Sequence, residues 1–126
     1  MNHHLYKGKH PVGKDTLTVN LFLISFKDGE SFIYYSPHLD LSGYGNTNEA
    51  ARESFNLVLD EYCKYTLHKN TLWDDLKKHG WTVKSKQRVY PPQFSDLMSS
   101  NETLQDVINT RDFTKQHFDL NMPAYA

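Results

Sequence analysis

The sequence predicts an α+β fold, a small antiparallel sheet of roughly three to four strands covered by a long helix, with additional C-terminal helices and a terminal edge strand. Three observations carry this. Residues 16 to 26 are β-rich and alternate; an Asp28-Gly29 pair separates them from a second strand pattern; and a helical stripe runs from Ala51 to Cys63.

In the first run Leu17, Val19, Leu21 and Leu23 alternate with Thr18, Asn20, Phe22 and Ile24, so both faces become apolar toward its end. That pattern belongs to a central strand. Lys27-Asp28-Gly29-Glu30 is a hairpin cue, and Ser31 to Ser36 then pairs back antiparallel. Pro37 removes a ladder donor, leaving Ser42-Gly43-Tyr44-Gly45 room for a brief third strand.

Asn46 or Thr47 caps the long helix, predicted over 47 to 66, with Glu49 in its dipole-favoured first turn. Ala51, Phe55, Val58, Leu59, Tyr62 and Cys63 form its core stripe, and Glu53, Asp60, Glu61 and Lys64 face water. Thr71 caps a shorter helix carrying Leu72, Trp73 and Leu76, and Gly80 stops it. Trp81 to Lys84 reads as a short strand with Trp81 in the core, and Tyr90-Pro91-Pro92 as a break. Phe94, Leu97 and Met98 fit a helical turn or two, and Leu104, Val107 and Ile108 a further helix entered at Asn101. Phe118 to Met122 alternates like a strand, either at an edge of its own sheet or docked on a neighbour.

With 126 residues, 38% of them hydrophobic, the chain has material for one compact core. Residues 1 to 14 lack periodicity and read as a flexible arm, and 91 to 126 as an extension packed on the same domain or on a dimer partner. No apolar run reaches the roughly 20 residues of a membrane span, and the start is not signal-like, so a cytoplasmic protein is expected. The single cysteine, Cys63, falls on the apolar helix face and reads as a small core residue.

A net charge of −1 gives no overall field toward nucleic acid. The charges are segregated, however. Segment 28 to 62 holds seven acids against Arg52, whereas 63 to 90 holds Lys64, Lys69, Lys77, Lys78, Lys84, Lys86 and Arg88 against Asp74 and Asp75. An acidic face and a basic face are the consequence.

The order Ser31-Phe-Ile-Tyr-Tyr-Ser-Pro37, His38-Leu-Asp-Leu-Ser-Gly-Tyr-Gly45, Asn46-Thr-Asn-Glu-Ala-Ala51 resembles the HicB-like antitoxin domain. That family pairs an aromatic strand and a PDLPGC turn with a short strand and G-D-T-x-E-E-A at a helix start. Here Leu41-Ser42 replaces the central proline and Tyr44 the cysteine, and the likeness covers roughly residues 15 to 68, within a HicB-like domain at 15 to 90. The resemblance implies a partial ribonuclease H-like fold. It also implies a protein, often a dimer or larger homo-oligomer, that masks a HicA-type messenger RNA endonuclease toxin by occlusion. Tyr35, His38, Asp40 and Tyr44, with the exposed helix faces, are then the expected partner contacts.

No catalytic constellation is expected. The chain has no G-x-S-x-G, P-loop, G-x-G-x-x-G, H-E-x-x-H or paired cysteines, and the stretches 16 to 26 and 31 to 36 contain no Asp or Glu. A two-metal nuclease needs several carboxylates on adjacent rigid elements, so that reading is set aside. His38 with Asp40 offers two ligands where a transition metal takes three or four, and His3, His4 and His10 lie in the arm. Neither cofactor nor metal is expected.

Lys84, Lys86 and Arg88, between Trp81 and Tyr90, mix cations with stacking surfaces as single-strand sites do. They define the alternative reading, a solitary HicB-like oligomeric module that binds RNA or acts as a scaffold. The tail from Pro91 has five acids against Arg111 and Lys115, a poor composition for the DNA-binding segment that HicB-like antitoxins usually carry there.

Overall fold

The computed structural model describes residues 16–85 and 88–123, with ten elements. Three strands come first, β1 (Thr16–Asp28), β2 (Ser31–Ser36) and β3 (Leu41–Gly45). Helices α1 (Asn48–His68) and α2 (Leu72–Lys78) precede a hairpin of β4 (Thr82–Ser85) and β5 (Arg88–Tyr90). The chain continues with α3 (Phe94–Ser100), α4 (Glu102–Thr110) and β6 (Phe113–Pro123). The arm predicted at 1 to 14 lies outside the described residues.

The main sheet has the order β3-β2-β1-β6 and is antiparallel throughout. β1 is central as its two-sided apolar pattern requires, and the terminal strand pairs within its own subunit. β2 covers only Ile24 to Asp28 of β1, whereas β6 runs beside Thr16 to Phe26 in an unbroken ladder. β6 is therefore longer than the Phe118 to Met122 alternation predicted, and it pairs along one edge with the half of β1 that β2 does not reach.

Alternation sorts the sheet into two buried faces. Leu21 and Leu23 join Tyr34, Phe118, Leu120 and Met122 in the larger cluster, beneath Ala51, Phe55, Leu59 and Cys63 of α1. Leu72, Leu76, Trp81 and Val89 extend that cluster under α2 and the β4–β5 hairpin. Phe22, Ile24 and Tyr35 face the other way, against Leu97 of α3 and Leu104 and Val107 of α4. The sheet is thus a middle layer between helices. The alternation at Leu21 to Ile24 shows both faces to be apolar, and α3–α4 supplies the second cover.

Local signals place the ends of the elements. Gly29 takes φ 62° at the hairpin turn, Thr47 Oγ1 accepts from the Ala50 amide at 3.0 Å, and Gly80 takes φ 89° after α2. Asn101 Oδ1 accepts from the Leu104 amide at 2.9 Å to open α4. Thr71 precedes α2 without a side-chain cap bond, contrary to expectation; the α2 start is held instead by the Asp75 amide donating to the Thr71 carbonyl. Asp60 is half-buried rather than facing water and pairs with Lys64 at 2.8 Å. The described strand β5, Arg88–Tyr90, is an addition to the predicted elements. Its Val89 is buried opposite Val83, while Arg88 and Tyr90 point outward.

Candidate interaction surfaces

Four partner-contact residues were expected between Tyr35 and Tyr44; the fold buries Tyr35 and His38 and exposes Asp40 and Tyr44. Tyr35 is buried at the inner face of α3–α4, where its hydroxyl donates to Asp40 Oδ1 at 2.8 Å and accepts from Asn101 Nδ2 at 2.9 Å. Desolvation pushes its phenol up to about 12, with the Asp40 carboxylate reinforcing the shift and the Asn101 bond opposing it. A side chain so enclosed ties β2 to the following turn and to the start of α4.

His38 is likewise interior. Its ring stands edge-on to Phe22 at 4.9 Å and to Trp81 at 6.3 Å between centroids, and Nε2 lies 3.1 Å from the Pro92 carbonyl oxygen. That oxygen can only accept, so Nε2 carries the proton, and Nδ1 is buried without a partner. Burial lowers the His38 pKa, nearby Lys115 adds to the effect, and the Pro92 bond opposes it. The imidazole is neutral at pH 7. Trp81 Nε1 also donates to the His38 carbonyl at 2.8 Å, so the residue joins the turn after β2 to both flanking connections. Neither Tyr35 nor His38 offers its side chain to a partner surface, because each is enclosed and bonded internally.

Asp40 and Tyr44 are exposed, at opposite ends of β3. Asp40 adopts φ 55°, a left-handed conformation that Asp tolerates better than most residues. Its carboxylate shares a shallow groove with Lys78, His79, Asn101 and Glu102. Tyr44 is 61% exposed, and its amide donates to Ser54 Oγ at 3.1 Å, which sets it beside the middle of α1.

The outward side of α1 contains the surface that the apolar stripe concealed. Leu57 and Tyr65 are 67% and 63% exposed, about two helical turns apart, with Glu53, Glu61 and the Asp60-paired Lys64 exposed around them. These two residues fell outside the predicted core stripe. Their spacing, i to i+8, was the signal available for a second apolar line along the helix.

On the β4–β5 hairpin, Thr82 pairs with Tyr90 and Ser85 with Arg88, and Lys84, Arg88 and Tyr90 are all exposed, Tyr90 by 48%. Lys86 lies outside the described residues. Trp81 is buried and bonded to His38, so Tyr90 is the stacking surface beside these cations.

Among the described residues no group of three or more His, Cys, Asp or Glu is placed to hold a metal ion. No described helix is long and apolar enough to cross a membrane. No family model, curated protein or solved structure matches the chain.

Proposed function

We propose that this chain is a non-catalytic binding protein of the HicB-like antitoxin type, which masks a basic HicA-type ribonuclease by covering it with the outer side of α1 and the adjoining Tyr44. The observation that carries this reading is the exposed Leu57 and Tyr65 pair set among Glu53 and Glu61. Apolar anchors among charges predominantly of one sign, here Glu53, Asp60 and Glu61 against Lys64, combine contact area with steering of an oppositely charged partner. The strand, turn and helix start that resemble the antitoxin pattern lead directly into this helix. Occlusion needs no reacting group on the masking protein.

The test is capture of a tagged chain from its native cells at low salt, with mass spectrometry of what is retained. A small basic protein in near-stoichiometric amount, lost when Leu57 and Tyr65 are both replaced by Lys, supports the reading. Recovery of the chain without a protein partner contradicts it.

The β4–β5 hairpin favours a second reading, an RNA-binding module. Tyr90 supplies an exposed ring two residues along β5 from Arg88, with Lys84 exposed on the facing strand, an arrangement suited to one stacked base and its phosphates. Salt-sensitive RNA binding, lost in a Lys84→Ala, Arg88→Ala, Tyr90→Ala variant that retains its fold, distinguishes this module from the masking protein.

A further inference from the structure

We infer that β6 is a self-association edge, along which a second copy of this chain pairs antiparallel about His117 to make one continuous eight-stranded sheet. Among the described residues β6 is bonded on one side only, to β1. It spans Phe113–Pro123, and its ladder with β1 proceeds one residue against one from Phe113 to Pro123 without a bulge. The opposite edge differs. β3 is five residues long and carries Gly43 and Gly45. Short strands, bulges, prolines and charged side chains are the usual protections of an edge; β6 carries no bulge along its length and no proline before Pro123, and its two charges, Lys115 and Asp119, are of opposite sign.

The side chains select the occupant. Phe113, Lys115, His117, Asp119 and Asn121 share one face of β6, the face that carries Phe22 and Ile24 on β1. A two-fold axis normal to the sheet maps each face onto itself and passes midway between the two copies of one residue of β6, which then opposes itself and fixes the register. An axis through Lys115 or Asp119 sets like charges against each other. The axis through His117 sets Lys115 of each copy opposite Asp119 of the other, giving two cross-strand ion pairs and leaving the two His117 rings face to face. The Lys115 ammonium stands over Phe22 and Phe94, 4.7 and 4.8 Å from their centroids, on that same face. Asp119 accepts from Asn20 Nδ2 at 3.0 Å, which holds its carboxylate on this face as well. In the paired sheet the α1 layers of both copies lie on one side and the α3–α4 layers on the other.

Sedimentation equilibrium of the full chain tests the inference, with circular dichroism as the check on folding. The wild type is expected to be dimeric. Lys115→Asp and Asp119→Lys each weaken the dimer about tenfold or more, and the two together restore it, because the pairs re-form with their signs exchanged. His117→Cys provides an independent readout that reverses no charge. Directly opposed residues of an antiparallel pair have Cα atoms about 4.5–5.5 Å apart, within disulfide range, so mild oxidation gives a covalent dimer through the introduced thiols. Cys63 is buried and does not compete. A chain that is monomeric at all concentrations overturns the inference. So does a dimer that ignores the single charge reversals, fails to recover in the double variant, or is not crosslinked through position 117.

Discussion

Gly43 lies directly beneath Phe55: a Cβ at position 43 would sit 2.3 Å from the Phe55 amide nitrogen, inside any tolerable contact. Gly45 stands in the same relation to Ala51, at 2.4 Å from its amide nitrogen. Two glycines on one short strand thus let α1 settle on β3 at backbone distance. Gly43→Ala is expected to destabilise the fold by about 1–3 kcal/mol or more, since the obstructing atoms are backbone and cannot rotate away. Gly29→Ala is the control, because nothing lies within 4 Å and its φ of 62° is the sole obstacle. Urea unfolding of both variants decides the matter: an equal loss would show that chain conformation, not the α1 contact, sets the requirement.

Tyr35→Phe removes one hydroxyl that serves Asp40 and Asn101 together. Bonds involving a charged partner contribute more than neutral ones, so a loss of about 1.5–3 kcal/mol is expected. The same substitution is expected to leave partner capture intact at temperatures where the protein is folded. Loss of capture by a fully folded Tyr35→Phe protein would show that the phenol has a role at a surface.

Trp81→Phe keeps a ring in the core but leaves the His38 carbonyl without the Nε1 donor. An orphaned buried acceptor costs about 1–3 kcal/mol, which thermal unfolding registers as a drop of several degrees. An unchanged melting temperature would mean that the carbonyl finds another donor.

His38 makes stability depend on pH in a definite direction. Its folded pKa is lowered below the ordinary 6.5, so between those two values the unfolded chain binds the proton that the folded one refuses. Stability from this group is complete above about pH 6.5 and falls as the pH drops through the window toward the folded value. A proton on buried Nδ1 would find no acceptor, and Lys115 adds a like charge nearby. His38→Gln keeps a donor for Pro92 and is expected to shrink the difference in unfolding free energy between pH 7.5 and pH 5. The same difference in wild type and variant would assign the acid sensitivity elsewhere.

Much of this architecture was legible because short-range signals and burial agree. Both faces of Leu21 to Ile24 are apolar, and the structure covers both; Asp28-Gly29 turns the first hairpin; Thr47 and Asn101 cap their helices with side-chain oxygens. The first half of β6 was not legible. Phe113 to His117 is mostly exposed, so its strand state is held by backbone pairing with β1 rather than by side-chain alternation. β5 escaped notice because Val89 is its one buried residue and a single residue has no period. The burial of two expected contact residues was not legible for a related reason. Tyr35 and His38 look like turn-proximal polar residues in the sequence, yet α3–α4 and Trp81, distant in the chain, close over them.

The central claim, that the acidic outer side of α1 is the surface that masks a basic partner, is tested most directly by calorimetry on the captured protein. Wild type and a Leu57→Lys, Tyr65→Lys variant would be titrated at low and high salt, with circular dichroism confirming that both are folded. The account predicts tight binding that weakens with salt and a loss of about 2 kcal/mol or more in the variant. Equal affinity of the two proteins, at either salt concentration, would contradict it.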